Sequence, residues 1–412
     1  METQSEVYQP FLLPKAKKSH TQKTSLIRRI SSMKPGGVQS SFCSLFSSTI
    51  GIGFLAIPYA TAQCGLILGT FVLILRGLCF GVYYKALAQA CDRTGIFSYV
   101  GVVDNLYGPR WRLFAETVIV ASCFGLLSVM WVIALDITTS LFPSIESVWE
   151  EFALMVFFGL ALELPLAIKP ELASIRYAPA FSFLCIGFLA LVVCVDIATT
   201  TPDLTGISLF SVNLKTIDSV ILVLFAYDAT MFIPIIFSEM AYSRHRSYGL
   251  MRQVLRRTNT MLIVCYLILG LGGFASHYPN VPELLVFPNS VESDWTGHIG
   301  KCLVLISVLT EMPLILNPAR LTIQQAIGGP GFIHQPNIYR AATLSLIFLP
   351  IATALCFGRE IVYFKLLGGI STVLHGFVLP SKSPIEPWCI SRCIEACGRA
   401  GLWLGLRACS AG

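Results

Sequence analysis

The chain has 412 residues, of which 55% are hydrophobic and only 13% charged, about half the charged share of an ordinary soluble domain. A soluble reading is excluded on that ground: the apolar residues fall into long blocks that only a lipid solvent accommodates. The formal charge of +6 is scattered over short loops between those blocks, so the chain offers no continuous basic face to a nucleic acid.

In chain order, residues 1–36 form a basic tail with no apolar run of signal-peptide length, so the first span is expected to act as an uncleaved targeting element. Ten runs then have the length a helix needs to cross a bilayer, predicted at 37–60, 64–89, 113–135, 152–168, 178–198, 216–238, 258–277, 297–320, 338–358 and 361–380. Backbone groups in hydrocarbon must be satisfied internally, and the alternation of a barrel is missing, so these runs are helices. The fold class is an all-α polytopic membrane protein with domain limits at 37–382, followed by a short Cys- and Arg-containing tail over 383–412.

Lysines and arginines favour the cytosolic side. With the amino terminus inside, all but Lys215, Lys301, Arg359, Lys365 and the intramembrane Arg76 of the 29 basic residues fall on inner segments. Both termini are therefore expected in the cytosol, in a plasma membrane or a vacuolar or lysosomal one. Most of the 14 cysteines stand singly in apolar runs and read as small hydrophobes. Cys389, Cys393 and Cys397 share a four-residue period that would suit palmitoylation or a metal, but with no fourth ligand they read as ordinary thiols. No metal site and no cofactor is expected.

Two spans are interrupted. Span one carries Ser47, Ser48, Thr49, Ile50, Gly51, Ile52 and Gly53 ahead of Pro58, with two glycines at mid-depth. Glycine destabilises a helix there. It either opens a break that faces a cavity or allows close helix packing. Span six carries Phe225, Ala226, Tyr227, Asp228, Ala229 and Thr230 ahead of Pro234, an ionisable residue costly in lipid beside a proline that frees a carbonyl. Spans one and six hold equivalent places in two halves of five, the pattern of an inverted-repeat transporter. A zwitterion fits it: the carboxylate at the amide end of the span-one break (Thr49, Ile50, Gly51, Ile52, Gly53), the ammonium at the carbonyls of Phe225, Ala226, Tyr227 and Asp228.

Further intramembrane ionisable residues are Arg76, Glu116, Glu163 and Glu311. Structural ion pairing, for example of Arg76 with a carboxylate on a neighbouring helix, is the plain alternative to function for these residues, and Glu116 lies close enough to a loop to snorkel. Thr310 and Glu311, with Pro313, Asn317 and Pro318, make a polar stripe in span eight. Ser47, Asp228, Thr310 and Glu311 are the candidates for coupling to a proton or a sodium ion.

The runs GIGFLAIPYATAQCG, PLAIKPELASIRYAPAF, FAYDATMFIPIIFSEM, EMPLILNPAR and KLLGGISTVLHGFVLPS, in that order between residues 37 and 382, resemble the amino acid/auxin permease family. The resemblance implies the amino acid-polyamine-organocation fold, with paired five-helix repeats and a substrate site at Thr49–Gly53 and Phe225–Asp228. It also implies secondary transport of amino acids by alternating access. Two departures stand out: sodium-coupled members commonly carry an asparagine where this chain has Ser47, and the usual eleventh helix is expected to be missing. A membrane sensor that binds an amino acid without moving it is the alternative reading. An enzyme is not expected, since no nucleophile stands beside an evident base.

Overall fold

A computed structural model describes residues 36–51, 53–143, 147–168, 177–199, 208–243, 248–278, 281, 295–328 and 336–356. Predicted span ten, the expected loss of an eleventh helix, the three tail cysteines and Ile52 lie outside the described residues. All regular elements among them are helical. Predicted span one is divided between α1 (Val38–Ile50) and α2 (Ile57–Cys64), and span two is α3 (Leu66–Thr94). A short helix, α4 (Tyr99–Tyr107), precedes span three, which is α5 (Pro109–Leu141). Span four runs as α6 (Val148–Phe158), a π-helical turn (Gly159–Glu163) and α7 (Leu164–Ala167). Span five is α8 (Tyr177–Thr199), and span six is divided between α9 (Leu214–Ala226) and α10 (Phe232–Ser243). Spans seven, eight and nine are α11 (Tyr248–His277), α12 (Trp295–Gly328) and α13 (Pro336–Cys356).

The helices outrun the apolar windows that predicted them: α11 begins ten residues before span seven and α12 ends eight residues after span eight. Hydropathy marks only the part in hydrocarbon, whereas a helix continues into the polar boundary layer as long as its hydrogen-bond ladder does. Five of the described helices are long and apolar enough to cross a membrane: Leu66–Thr94, Pro109–Leu141, Tyr248–His277, Gly297–Ile327 and Asn337–Leu355. Their outward faces are apolar too. On α3 the exposed residues Ile67, Phe71, Ile74 and Leu78 recur at helical spacing, a stripe that water would penalise and lipid does not. Hydroxyls inside the helices turn back on their own backbones, as Thr70 Oγ1 does to Leu66 O at 2.6 Å and Thr138 Oγ1 to Ala134 O at 2.6 Å, which satisfies them without water.

Packing divides the helices into two groups. The segments of spans one, two, six and seven pack on one another, with α11 against α1, α2 and α3 and α2 against α9. Spans three, eight and nine form the second group, α12 and α13 lying along α5, and α8 bridges the two by touching α1, α11 and α12. The start of α3 is tied to the segment before α9. Leu66 N–H donates to Ser208 O and Ile67 N–H to Leu209 O, both at 3.1 Å, and Ser211 N–H donates to Cys64 O at 3.0 Å. Gly65 makes that junction possible, with φ at +84° and space for no side chain: a Cβ would sit 2.8 Å from Ser208 O.

Candidate functional site

Both predicted interruptions are present, and they are built differently. Span one unwinds after Ile50. Gly51 takes φ +42° and ψ −133° while its N–H still reaches Ser47 O, a conformation only glycine adopts without strain. The chain makes one tight turn over Gly53–Leu55 and resumes as α2. Apart from its chain neighbours, none of the described residues has an atom within 4 Å of where a Gly51 Cβ would stand, so this side of the break faces open space among them. Gly53 is the reverse case: its Cβ would fall 2.9 Å from the Cα and Cβ of Ala226. The two interruptions meet there, backbone against backbone.

Span six opens without a glycine. Tyr227, Asp228, Ala229, Thr230 and Met231 lie between α9 and α10, and neighbouring side chains occupy the freed backbone groups. Tyr84 on α3 places its hydroxyl in the gap: it accepts from Ala229 N–H at 2.8 Å and lies 3.1 Å from Tyr227 O and from Asp228 Oδ1 as donor. Tyr266 on α11 donates to Ala226 O, and Phe225 O accepts the Asp228 N–H at 2.9 Å. The Asp228 carboxylate closes a turn on its own segment, taking Thr230 N–H at 3.1 Å and the Thr230 hydroxyl at 2.6 Å, the bond to the backbone two residues on that an aspartate makes in turns. The buried Tyr227 turns its own hydroxyl back to Leu73 O at 3.3 Å. Of the carbonyls expected to receive an ammonium, Phe225 O takes the N–H groups of both Tyr227 and Asp228, while Ala226 O and Tyr227 O each take one tyrosine hydroxyl and keep a second lone pair.

Of the other expected residues, Thr49 and Ile50 are buried in the last turn of α1, with Thr49 Oγ1 bonded to Leu45 O. Ser47 and Glu311, 264 positions apart, come together: Ser47 Oγ donates to Glu311 Oε1 at 3.1 Å. Both are buried. The hydroxyls of Ser182 on α8 and Ser307 on α12 lie beside the same carboxyl, and Ser182 Oγ, fully buried, has no hydrogen bond. Thr310 is not part of this cluster, because its hydroxyl bonds to Ile306 O and Ser307 O of its own helix. Among the described residues Arg76 forms no ion pair. Its guanidinium lies 6.0 Å over the Tyr227 ring, with Nε and Nη2 unbonded. Glu116 is paired with Arg112 at 2.8 Å, one turn away, and Arg112 also reaches Asp104.

The model of the family described as transmembrane amino acid transporter protein matches residues 34–381. The chain belongs to that family. The resemblance read from the five motifs is thus correct, and the chain is a multi-pass membrane protein of a transporter family. Vacuolar amino acid transporter 6 of Saccharomyces cerevisiae is 25% identical over 70% of this chain and 66% of its own length. Vacuolar amino acid transporter 5 of Schizosaccharomyces pombe is 22% identical over 84% of this chain and 83% of its own. The sodium-coupled neutral amino acid symporter 2 of Danio rerio is 22% identical over 84% and 74%. Among solved structures, a substrate-bound, outward-open sodium-coupled sialic acid symporter superposes with a TM-score of 0.62 over 87% of this chain and 80% of that one, at 11% identity. MhsT in complex with L-phenylalanine superposes with 0.53 over 85% and 93%, at 14%. These likenesses give the fold alone.

Reading the sequence missed Tyr84, Tyr266, Ser182 and Ser307. Tyr84 and Tyr266 carry no local signal, since each is one of several aromatics in its helix and nothing in the neighbouring sequence sets it apart. The one available hint was that span six needs donors its own sequence does not supply.

Proposed function

We propose that this family member is a secondary transporter that moves amino acids across a membrane by alternating access, with both termini cytosolic and an ion bound beside Glu311. The observation that carries the reading is the contact of the two interrupted helices at Gly53 and Ala226. It sets the unwound residues of span one against the carbonyl end of α9, which supports a site of paired partial charges for a zwitterion. Broken helices also hinge at their unwound residues, so the site and the moving parts coincide. Support for an ion comes from the hydroxyls beside Glu311, which Ser47, Ser182 and Ser307 offer from α1, α8 and α12, chemistry suited to a proton or a sodium ion. This cluster bridges span one to the second helix group, so its occupation would set how the groups sit. Asp228 and Thr310 already have local hydrogen-bond roles, which leaves Ser47 and Glu311 as the pair to test for coupling.

Reconstitution into lipid vesicles and uptake of a panel of labelled amino acids tests the first claim, and absence of uptake for all of them defeats it. Imposing a sodium or a pH gradient then identifies the ion. Replacing Glu311 with Gln is expected to abolish stimulation by the effective gradient, and Ser47→Ala to weaken it about fivefold, the loss of one buried hydrogen bond. Stimulation intact in both variants removes the ion from this cluster.

A further inference from the structure

A second buried carboxyl lies away from the two breaks. Span four cannot keep an α-helical ladder up to Pro165, which brings no N–H. The irregularity is taken up as a wide turn over Gly159–Glu163, in which Leu164 N–H reaches back five residues to Gly159 O. Such π turns recur at functional positions. Met155, Gly159, Glu163 and Ala167 form the buried stripe of this span, and the turn packs against α12 and α13. The side of Gly159 meets Ile347, Ile351 and Trp131.

Glu163 is 0% exposed, and neither of its oxygens has a hydrogen-bond partner among the described residues. The charged and titratable groups on the surrounding helices are engaged elsewhere. On α12, Arg320 donates to Ala167 O at 2.6 Å and to Asn317 Oδ1 at 2.8 Å and stacks 4.2 Å over Tyr339, while Glu311 holds Ser47 and Lys301 holds Ser140 on α5. On α13, Tyr339 donates to Ile168 O and Arg340 is exposed. On α5, Glu116 pairs with Arg112 and Asp136 has contacts of its own. Glu150 and Glu151 stand in the first turn of α6. None of them bonds to Glu163. A carboxylate with both oxygens unbonded in an apolar interior is prohibitively costly, whereas a neutral carboxyl is tolerated.

We propose that Glu163 is a proton-binding site of the transport cycle, separate from the Glu311 cluster. The group is a neutral acid in this conformation. It gives its proton to water when span four parts from α12 and α13, the O–H bond breaking to leave a hydrated carboxylate. It takes a proton back before that contact closes. The inference rests on the transport reading for its role in a cycle, but not for the protonation itself.

Two measurements on the whole protein in vesicles test it. Infrared difference spectra of wild type and Glu163→Gln should lose one neutral-carboxyl stretch in the variant at neutral pH, and no such loss overturns the proposal whether or not the protein transports. In wild type, amino acid accumulation should rise with a pH gradient. In Glu163→Gln that stimulation should fall about tenfold, while exchange of labelled for unlabelled amino acid without any gradient falls far less. Glu163→Asp should restore stimulation with a displaced pH midpoint. Stimulation retained in Glu163→Gln, an unchanged midpoint in Glu163→Asp, or wild-type uptake indifferent to a pH gradient each overturns it. Failure of wild type to exchange any amino acid defeats the transport reading instead, and leaves the infrared result to decide the protonation.

Discussion

The break in span one and the break in span six face each other, yet opposite means hold them open. Span one uses what it lacks. Gly51 reaches φ +42° beside open space, and Gly53 lets Ala226 approach to a distance no side chain permits. Span six uses what side chains bring: Tyr84 from α3, Tyr266 from α11 and Asp228 from within the break occupy its freed groups. A glycine break is soft and local, whereas a braced break is as rigid as the helices that supply the braces. The expected division of labour is that span one moves and span six holds, and substitutions at each break test it.

The largest effect is expected at the contact itself. Gly53→Leu would drive a side chain into the Ala226 backbone, where no flexible group can yield, and overpacking costs about 1–3 kcal/mol even in cores that relax. Uptake is expected to vanish while the protein still reaches the membrane. Wild-type uptake by this variant would show that the two breaks do not need to touch.

Next comes the principal brace. Tyr84→Phe removes a group that serves Ala229 N–H, Tyr227 O and Asp228 Oδ1 together. An orphaned buried donor alone costs about 1–3 kcal/mol, so the melting temperature in detergent should fall and uptake with it. Tyr266→Phe removes one bond, to Ala226 O, and should cost about 1 kcal/mol. Equal losses in the two variants would mean that the rigidity of span six does not reside in Tyr84.

How much of this was legible in the sequence follows from the same contrast. The break in span one was legible because its cause is local: two glycines within three positions of an apolar run. The break in span six was legible in place, from Asp228 and Pro234, but not in construction, because its braces lie 143 and 40 residues away in sequence. Ser47 and Glu311 were each recognisable as polar atoms in lipid, while their contact across 264 residues was not. Thr310 looked equivalent to Glu311 on composition. A threonine in a helix can satisfy itself on the preceding turn and a carboxyl cannot, and that difference separates the two. Arg76 was weighed as one half of an ion pair, and the described helices around it put the Tyr227 ring where a carboxylate was expected.

Gly51→Ala probes the soft side. Its Cβ would meet none of the described residues, so the cost is the backbone at φ +42° and ψ −133°, about 1–3 kcal/mol for an L-residue in so sparsely populated a region. The expected result is a lower rate of uptake at saturating substrate with a modest loss of thermal stability. A loss as complete as that of Gly53→Leu would mean that Gly51 closes on something during the cycle.

The smallest effect is expected at the residue with the most conspicuous charge. Asp228 holds Thr230 in a turn two residues before α10, and asparagine makes the same turn. Asp228→Asn should therefore change thermal stability by well under 1 kcal/mol and leave the pH profile of uptake in place, whereas Asp228→Ala, which cannot close the turn, should cost about 1 kcal/mol. Comparing the two separates the carboxylate as a hydrogen-bond acceptor from the carboxylate as a charge. If Asn behaves like Asp, the intramembrane charge of span six serves geometry, and ion traffic belongs to Glu311 and Glu163. If Asn behaves like Ala, or if the pH profile moves with Asn alone, the braced break carries the ion as well as the substrate, and the division of labour between the two breaks fails.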